Sequence, residues 1–194
     1  MKDVTVVVTN KKTGQHYYAH SYPDRDIDNN GKNDVYKTPI YEVHIIQGAN
    51  KIVWHAVRFM PYWNDPKAPN PKYKTKGFVN SGLHSLNKRA VSLYLPNYFT
   101  RNRFSPNRGA IQLRNNFLIH AGPKTRFDYG WGSAGCVEII GDFGKFKADI
   151  RDLSGIQTTV LPGDALAKMV ANKKLFVEVQ YATPPNFTKL MTAS

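Results

Sequence analysis

The residues best equipped for chemistry lie in one stretch, Phe117–Glu138, which reads FLIHAGPKTRFDYGWGSAGCVE. It holds the only cysteine of the chain, Cys136, and a histidine, His120, that ends the apolar run Phe117-Leu118-Ile119. A thiol becomes a nucleophile when a base within hydrogen-bond reach takes its proton. The carbonyl it attacks needs backbone N–H donors to hold the developing oxyanion. A strand ending in His and a tight glycine turn ending in Cys supply these parts. A lone cysteine is often only a small buried hydrophobe. Gly132, Ser133 and Gly135 crowd this one and favour exposed backbone N–H groups over apolar packing. Val137, Ile139 and Ile140 then resume an apolar run, so Cys136 is expected at a junction between a turn and a regular element. Arg126, Tyr129 and Trp131 occupy the intervening loop and are candidates to line a cleft.

A second segment suits metal chemistry. Asp26, Asp28, Asn30, Gly31 and Asp34 fall at positions 1, 3, 5, 6 and 9 of a calcium loop of the EF-hand kind. Alternating oxygen ligands and a glycine for the sharp turn are what Ca²⁺ needs, and Lys32 would add its carbonyl. Position 12 is Lys37 where a bidentate Glu is usual, and the flanks do not read as helices. A polar turn rich in Asp, Asn and Gly is the alternative reading. Any calcium role would be structural, and no catalytic cofactor is expected. The other histidines lack metal spacing: His16 and His20 are four apart, but on a segment that reads as strand.

The elements that must position these residues are mainly β. VTVVVTN and QHYYAHSY around KKTG predict an N-terminal hairpin, followed by the acidic loop, within residues 1–40. YEVHII, KIVWHAVRFM, KGFVNSGLH, AVSLYLP, AIQL and NFLIH are short runs of β-branched and aromatic residues separated by Pro, Asn and Gly. WNDPKAPNPKYKTKG should be a long exposed loop and is a candidate lid. After Cys136, DFGKFKADIRDL predicts a short helix. PGDALAKMVANKK predicts a second, with Asp164 as N-cap and Ala165, Leu166, Met169 and Val170 as its apolar stripe. LFVEVQYA closes the chain as a strand. The expected fold class is a β-rich α+β single domain over residues 1–194.

Composition narrows the partners. Lys plus Arg exceed Asp plus Glu by 27 − 14 = 13, a basic balance that favours anionic partners. Arg101, Arg103, Arg108 and Arg114 interleave with Tyr98 and Phe104, but no nucleic-acid motif accompanies them. A solvated basic face is the simpler reading. No apolar run is long enough for a membrane span. The start, MKDVTVVVTNKK, lacks the apolar stretch and cleavage site of a secretory signal.

The order of an apolar strand ending in His120, a loop, and then Ser133-Ala134-Gly135-Cys136-Val137 resembles the L,D-transpeptidase catalytic domain. That family's motif is His, a loop, Ser/Thr-His-Gly-Cys, an apolar residue and usually Arg. Here Ala134 replaces the second His and Glu138 stands in the Arg slot, which is similar to divergent branches that include interbacterial toxin effectors. The resemblance implies a β-sandwich or barrel core over residues 41–182, with one or two short helices near the C-terminus. It implies Cys136 as nucleophile, His120 as base, the N–H groups of Gly135 and Cys136 as oxyanion donors, and Ser133 as positioner of the turn. Glu138 joins Arg126, Tyr129 and Trp131 as a substrate-binding candidate. The implied activity is transpeptidation or carboxypeptidation of peptidoglycan stem peptides through a thioester. The toxin-like branch further implies export by a secretion machine, action in the periplasm or envelope, and a cognate immunity protein. The rival expectation is a non-catalytic β-domain that binds cell wall, carbohydrate or protein, stapled by calcium.

Overall fold

The computed structural model describes residues 1–22, 24, 26, 29–64, 77–78, 82–100, 107–130, 132–133 and 135–190, with the backbone alone at 63, 64, 77 and 78. The chain is mainly β, a mixed sheet with two helices that does not close into a barrel. Its strands are β1 (Val4–His20), β2 (Val35–Gln47), β3 (Asn50–Val57), β4 (Trp63–Asn64), β5 (Gly77–Phe78), β6 (Leu86–Ala90), β7 (Tyr94–Leu95), β8 (Ala110–Arg114), β9 (Phe117–Ala121), β10 (Val137–Ile139), β11 (Leu175–Val179) and β12 (Thr188–Lys189). Helices α1 (Phe143–Ser154) and α2 (Pro162–Ala171) lie between β10 and β11. The main sheet runs β6-β11-β1-β2-β3-β10-β9-β8-β7, with β12 paired to β2, while β4 and β5 form a separate pair.

The two ends of that order are consecutive in sequence. Only Val91–Leu93 separate β6 from β7. The Val91 N–H donates to the Leu175 carbonyl at 2.9 Å and the Gln112 N–H to the Leu93 carbonyl at 3.0 Å. The sheet therefore curls until its edges are joined by one short link, which shortens the exposed edge.

The expected N-terminal hairpin has a different turn. KKTG does not reverse the chain; β1 runs through it, with pairing to β2 shifted between Val8 and Lys12 and again between Lys12 and His16. The reversal is the acidic loop, since His20 pairs with Val35 across it. Extra residues in one strand of an antiparallel pair are absorbed as bulges when the partner strand continues, as β2 does here. β1 also pairs in parallel with β11, so it is an interior strand, and a boundary at residue 40 falls inside β2.

The core lies between the sheet and the helices. Val4, Val6, Val8, Val43, Ile45, Phe143, Phe146, Ile150, Leu166 and Met169 are all fully buried there. Asp142 caps α1 by accepting the Lys145 N–H at 3.1 Å, and Phe146 meets Trp54 edge-on at 5.6 Å. The N-cap of α2 is Leu161, not Asp164. Pro162 carries the φ of a first helical residue, so the helix starts ahead of Asp164, which sits in its first turn. A buried cation, Arg58, ties three segments together by donating to the carbonyls of Thr9 at 2.6 Å, Gln180 at 3.0 Å and His84 at 3.4 Å. Desolvation lowers its pKa to about 10, so it stays charged at neutral pH. Among the described residues no helix is long and apolar enough to cross a membrane.

Candidate active site

β9 and β10 are parallel neighbours, with Val137 opposite Ile119, Glu138 opposite His120 and Ile139 opposite Ala121. Parallel neighbours cannot be joined by a tight turn. Residues 122–136 must therefore travel from one end of the pair back to the other, and this crossover makes one wall of a cleft. β10 is held on its far side by β3, with Glu138 opposite Val57. Successive strand residues alternate faces, so Cys136, directly before β10, shares the face of Glu138 and of His120 beside it. The strand–loop–turn order read from the sequence thus places His120 on β9 and Cys136 at the entry to the neighbouring β10, with no hydrogen bond between the two side chains.

His120 is 4% exposed. Its Nδ1 lies 2.8 Å from the carbonyl of Ala121. A carbonyl only accepts, so Nδ1 carries the proton and Nε2 is the basic nitrogen. Thr100 Oγ1 donates to the same carbonyl at 3.1 Å. Burial pushes the His120 pKa below its ordinary 6.5, against a smaller opposing effect of the Ala121 hydrogen bond. The imidazole is therefore neutral at pH 7 and able to accept a proton.

The Cys136 thiol donates to the Asn116 carbonyl at 3.7 Å. Its pKa is pushed up, first by burial and also by the Glu138 carboxylate, while the backbone N–H of Leu118 pulls it down. The resting thiol is protonated, unlike a thiolate–imidazolium pair. Tyr98 completes the cluster. Its ring centre lies 5.3 Å from that of His120. Its phenol is raised by burial and then by the charges of Cys136 and Glu138. Tyr98 therefore touches the imidazole and lies within electrostatic reach of the thiol.

The turn before Cys136 depends on glycine. Gly135 has φ +104°, and a Cβ there would lie 2.6 Å from Phe117 Cε1. Ser133 is fully buried and its hydroxyl donates to the Cys136 carbonyl, closing the turn. Gly122 is equally constrained by close approach, since a Cβ would lie 2.7 Å from Glu138 Cβ and 2.8 Å from the Ile139 carbonyl oxygen.

Next to these residues is a cleft of about 670 Å³, lined by Tyr98, Thr100, Gly122, Lys124, Tyr129 and Glu138 among others, while Cys136 and His120 are not part of its lining. That size suits a small-molecule or peptide segment. Tyr129 lines it as expected. Arg126 does not; its guanidinium lies 4.3 Å from the ring centre of its neighbour Phe127. Trp131 lies outside the described residues, as do residues 65–76 of the candidate lid. His84 packs edge-on against Phe59 at 6.1 Å, outside the cleft lining. The sequence reading had Tyr98 only as a neighbour of a basic run and did not single out Thr100. No local pattern marks them, because it is pairing of β8 with β9 that places the segment beside His120.

In the acidic loop, Asp26 accepts the N–H groups of Asn30 at 3.0 Å and Gly31 at 2.7 Å. Asn30 Oδ1 accepts the Lys32 N–H at 2.9 Å. Asp34 is 3% exposed, accepts from the Tyr36 hydroxyl at 3.3 Å and pairs with Lys189 of β12. Asp28 lies outside the described residues. Among the described residues no group of three His, Cys, Asp or Glu side chains is placed to hold a metal.

Comparison with known proteins places the chain in no family: no family model, no curated protein and no solved structure matches it.

Proposed function

We propose that this protein is a cysteine acyltransferase or peptidase of the L,D-transpeptidase type, acting on the stem peptides of peptidoglycan. The observation that carries the reading is His120 held by the Ala121 carbonyl, beside the strand that follows Cys136. Cys136 Sγ would attack a peptide carbonyl carbon while its proton passes to His120 Nε2. The N–H groups of Gly135 and Cys136 would hold the oxyanion, each such donor being worth ~2.7–4 kcal/mol. Collapse would expel the amine, which takes the proton from His120, and leave a thioester on Cys136. Water or a second amine, deprotonated by His120, would release the product and restore the thiol.

The raised pKa of Cys136 requires this proton transfer to accompany attack. The same observation favours the rival reading, a non-catalytic wall-binding domain in which the thiol is inert. Incubating disaccharide tetrapeptides with wild type and Cys136→Ala, followed by mass analysis, decides between them. New cross-linked or shortened peptides with wild type alone are expected. Unchanged substrate in both would leave the binding domain standing.

The basic surface suits the anionic envelope. If the protein acts there as an antibacterial effector, an acidic immunity protein would cover the cleft. A structural Ca²⁺ on Asp26, Asp28, Asn30 and the Lys32 carbonyl would have to compete with Lys189 for Asp34. Millimolar calcium should then raise the Tm, and more so in Lys189→Met, because a ligand of the folded state alone stabilises it. Absence of any shift in either protein would remove the metal from the account.

A further inference from the structure

Tyr129 is 60% exposed, yet it is held from several sides. Its ring stacks on Tyr18, with centres 5.8 Å apart and planes 25° apart. The next residue, Gly130, bridges to Ala19, and its carbonyl accepts the His20 N–H at 2.7 Å. The turn before it is closed from both ends, by the Thr125 N–H on the Asp128 carboxylate at 2.8 Å and the Asp128 N–H on the Thr125 carbonyl at 3.2 Å. The result is a fixed aromatic shelf on the rim of the cleft, flanked by the exposed Asp128 and Lys124. Tyrosine suits such a contact surface because its ring is apolar and its hydroxyl polar.

We propose that this shelf stacks against the pyranose ring of an N-acetylhexosamine. The substrate would then be the sugar-bearing stem peptide in preference to the free peptide. The choice of glycan rests on the peptidoglycan reading above; the shelf itself does not. One face of a pyranose presents C–H groups of slight positive charge, which complement the negative face of a tyrosine ring. Its hydroxyls need an acceptor and a donor, and Asp128 and Lys124, which line the same cleft, carry such groups. A pocket for an apolar side chain would be walled by apolar groups, whereas this shelf is flanked by two charges. A ring already stacked loses little freedom on binding.

The test separates the shelf from catalysis. Cys136→Ala protein is titrated with a peptide-free N-acetylglucosaminyl–N-acetylmuramic acid disaccharide and, separately, with free stem peptide, followed by NMR shifts. Tyr129→Ala and Tyr129→Phe are made in the same background and checked by thermal melting. Saturable disaccharide binding is expected, weakened ~10-fold by Tyr129→Ala and little changed by Tyr129→Phe, with peptide affinity the same in all three. No disaccharide binding, or binding unaffected by Tyr129→Ala, overturns the proposal. Loss of peptide affinity in Tyr129→Ala also overturns it and gives the shelf to a side chain. Failure of the catalytic reading would show differently, as absent turnover by wild type with disaccharide binding intact.

Discussion

Glu138 is the residue whose identity most changes the chemistry. It stands beside His120 across the parallel pair and raises the Cys136 thiol by its charge. Glu138→Gln removes that charge at nearly constant shape. The pH profile of Cys136 alkylation by iodoacetamide should therefore shift to lower pH, with faster reaction at neutrality. A profile unmoved by the substitution would mean the thiol does not feel the carboxylate. His120 gives a second test, through stability. Its folded pKa lies below the ordinary 6.5, so the unfolded chain takes the proton first as pH falls. Stability from this group is complete above 6.5 and is lost as pH drops toward the lower folded pKa. His120→Gln should show a smaller fall in Tm between neutral and mildly acidic pH than wild type. An identical fall in both would assign the acid sensitivity to other groups.

At the scale of elements, the site depends on how closely β9 and its crossover approach β10. Gly122 leaves the room that the Glu138 side chain fills. Gly122→Ala must push the two strands apart, an overpacking cost of ~1–3 kcal/mol. In a chain of this size that corresponds to a fall in Tm of roughly 2–4 °C for each kcal/mol, read by calorimetry. Under the proposed activity the same variant should lose more turnover than its stability explains, since its clash is with the Glu138 side chain and the Ile139 carbonyl, next to the rung that pairs Glu138 with His120. Wild-type Tm and turnover would show that the loop yields freely. Helix α1 bears on the site more remotely, following β10 through Gly141 and Asp142 and packing Phe143, Phe146 and Ile150 into the core. Phe146→Ala leaves a cavity beneath Trp54 and should cost ~3–5 kcal/mol by denaturant titration, while Cys136 alkylation in the folded protein stays unchanged.

Over the whole molecule, the net charge of +13 acts at long range, where salt screens it. Under the proposed function, association with isolated peptidoglycan sacculi should weaken steeply as sodium chloride is raised. Disaccharide binding at the Tyr129 shelf should be much less sensitive. Equal insensitivity of both would mean that the basic surface has no part in reaching the wall. The main sheet is curled, and its edges are linked through Val91–Leu93. The cleft lies where the 122–136 crossover and the segment through Tyr98 and Thr100 come together beside β10.

Alternating and clustered β-branched residues were enough to predict a mainly β chain, and the apolar stripe at Ala165, Leu166 and Met169 was enough for α2, because these depend on local periodicity. The placement of His120 on one strand and of Cys136 just ahead of the neighbouring strand follows the order of apolar run, loop and glycine turn, but the thiol's hydrogen-bond partner, the Asn116 carbonyl, does not. The turn of the N-terminal hairpin was not legible either. KKTG and the acidic loop are both plausible turns in sequence, and only the continuous pairing of β2 along β1 selects the second. Helix α2 begins before Asp164 because Pro162 already holds helical φ, which outweighs the capping preference of a carboxylate. Tyr98, Thr100, the Ala121 carbonyl that orients His120 and the burial that raises Cys136 carry no local signal. They follow from which strands become neighbours, and that is decided by long-range pairing and by packing against the helices, not by any one stretch of residues.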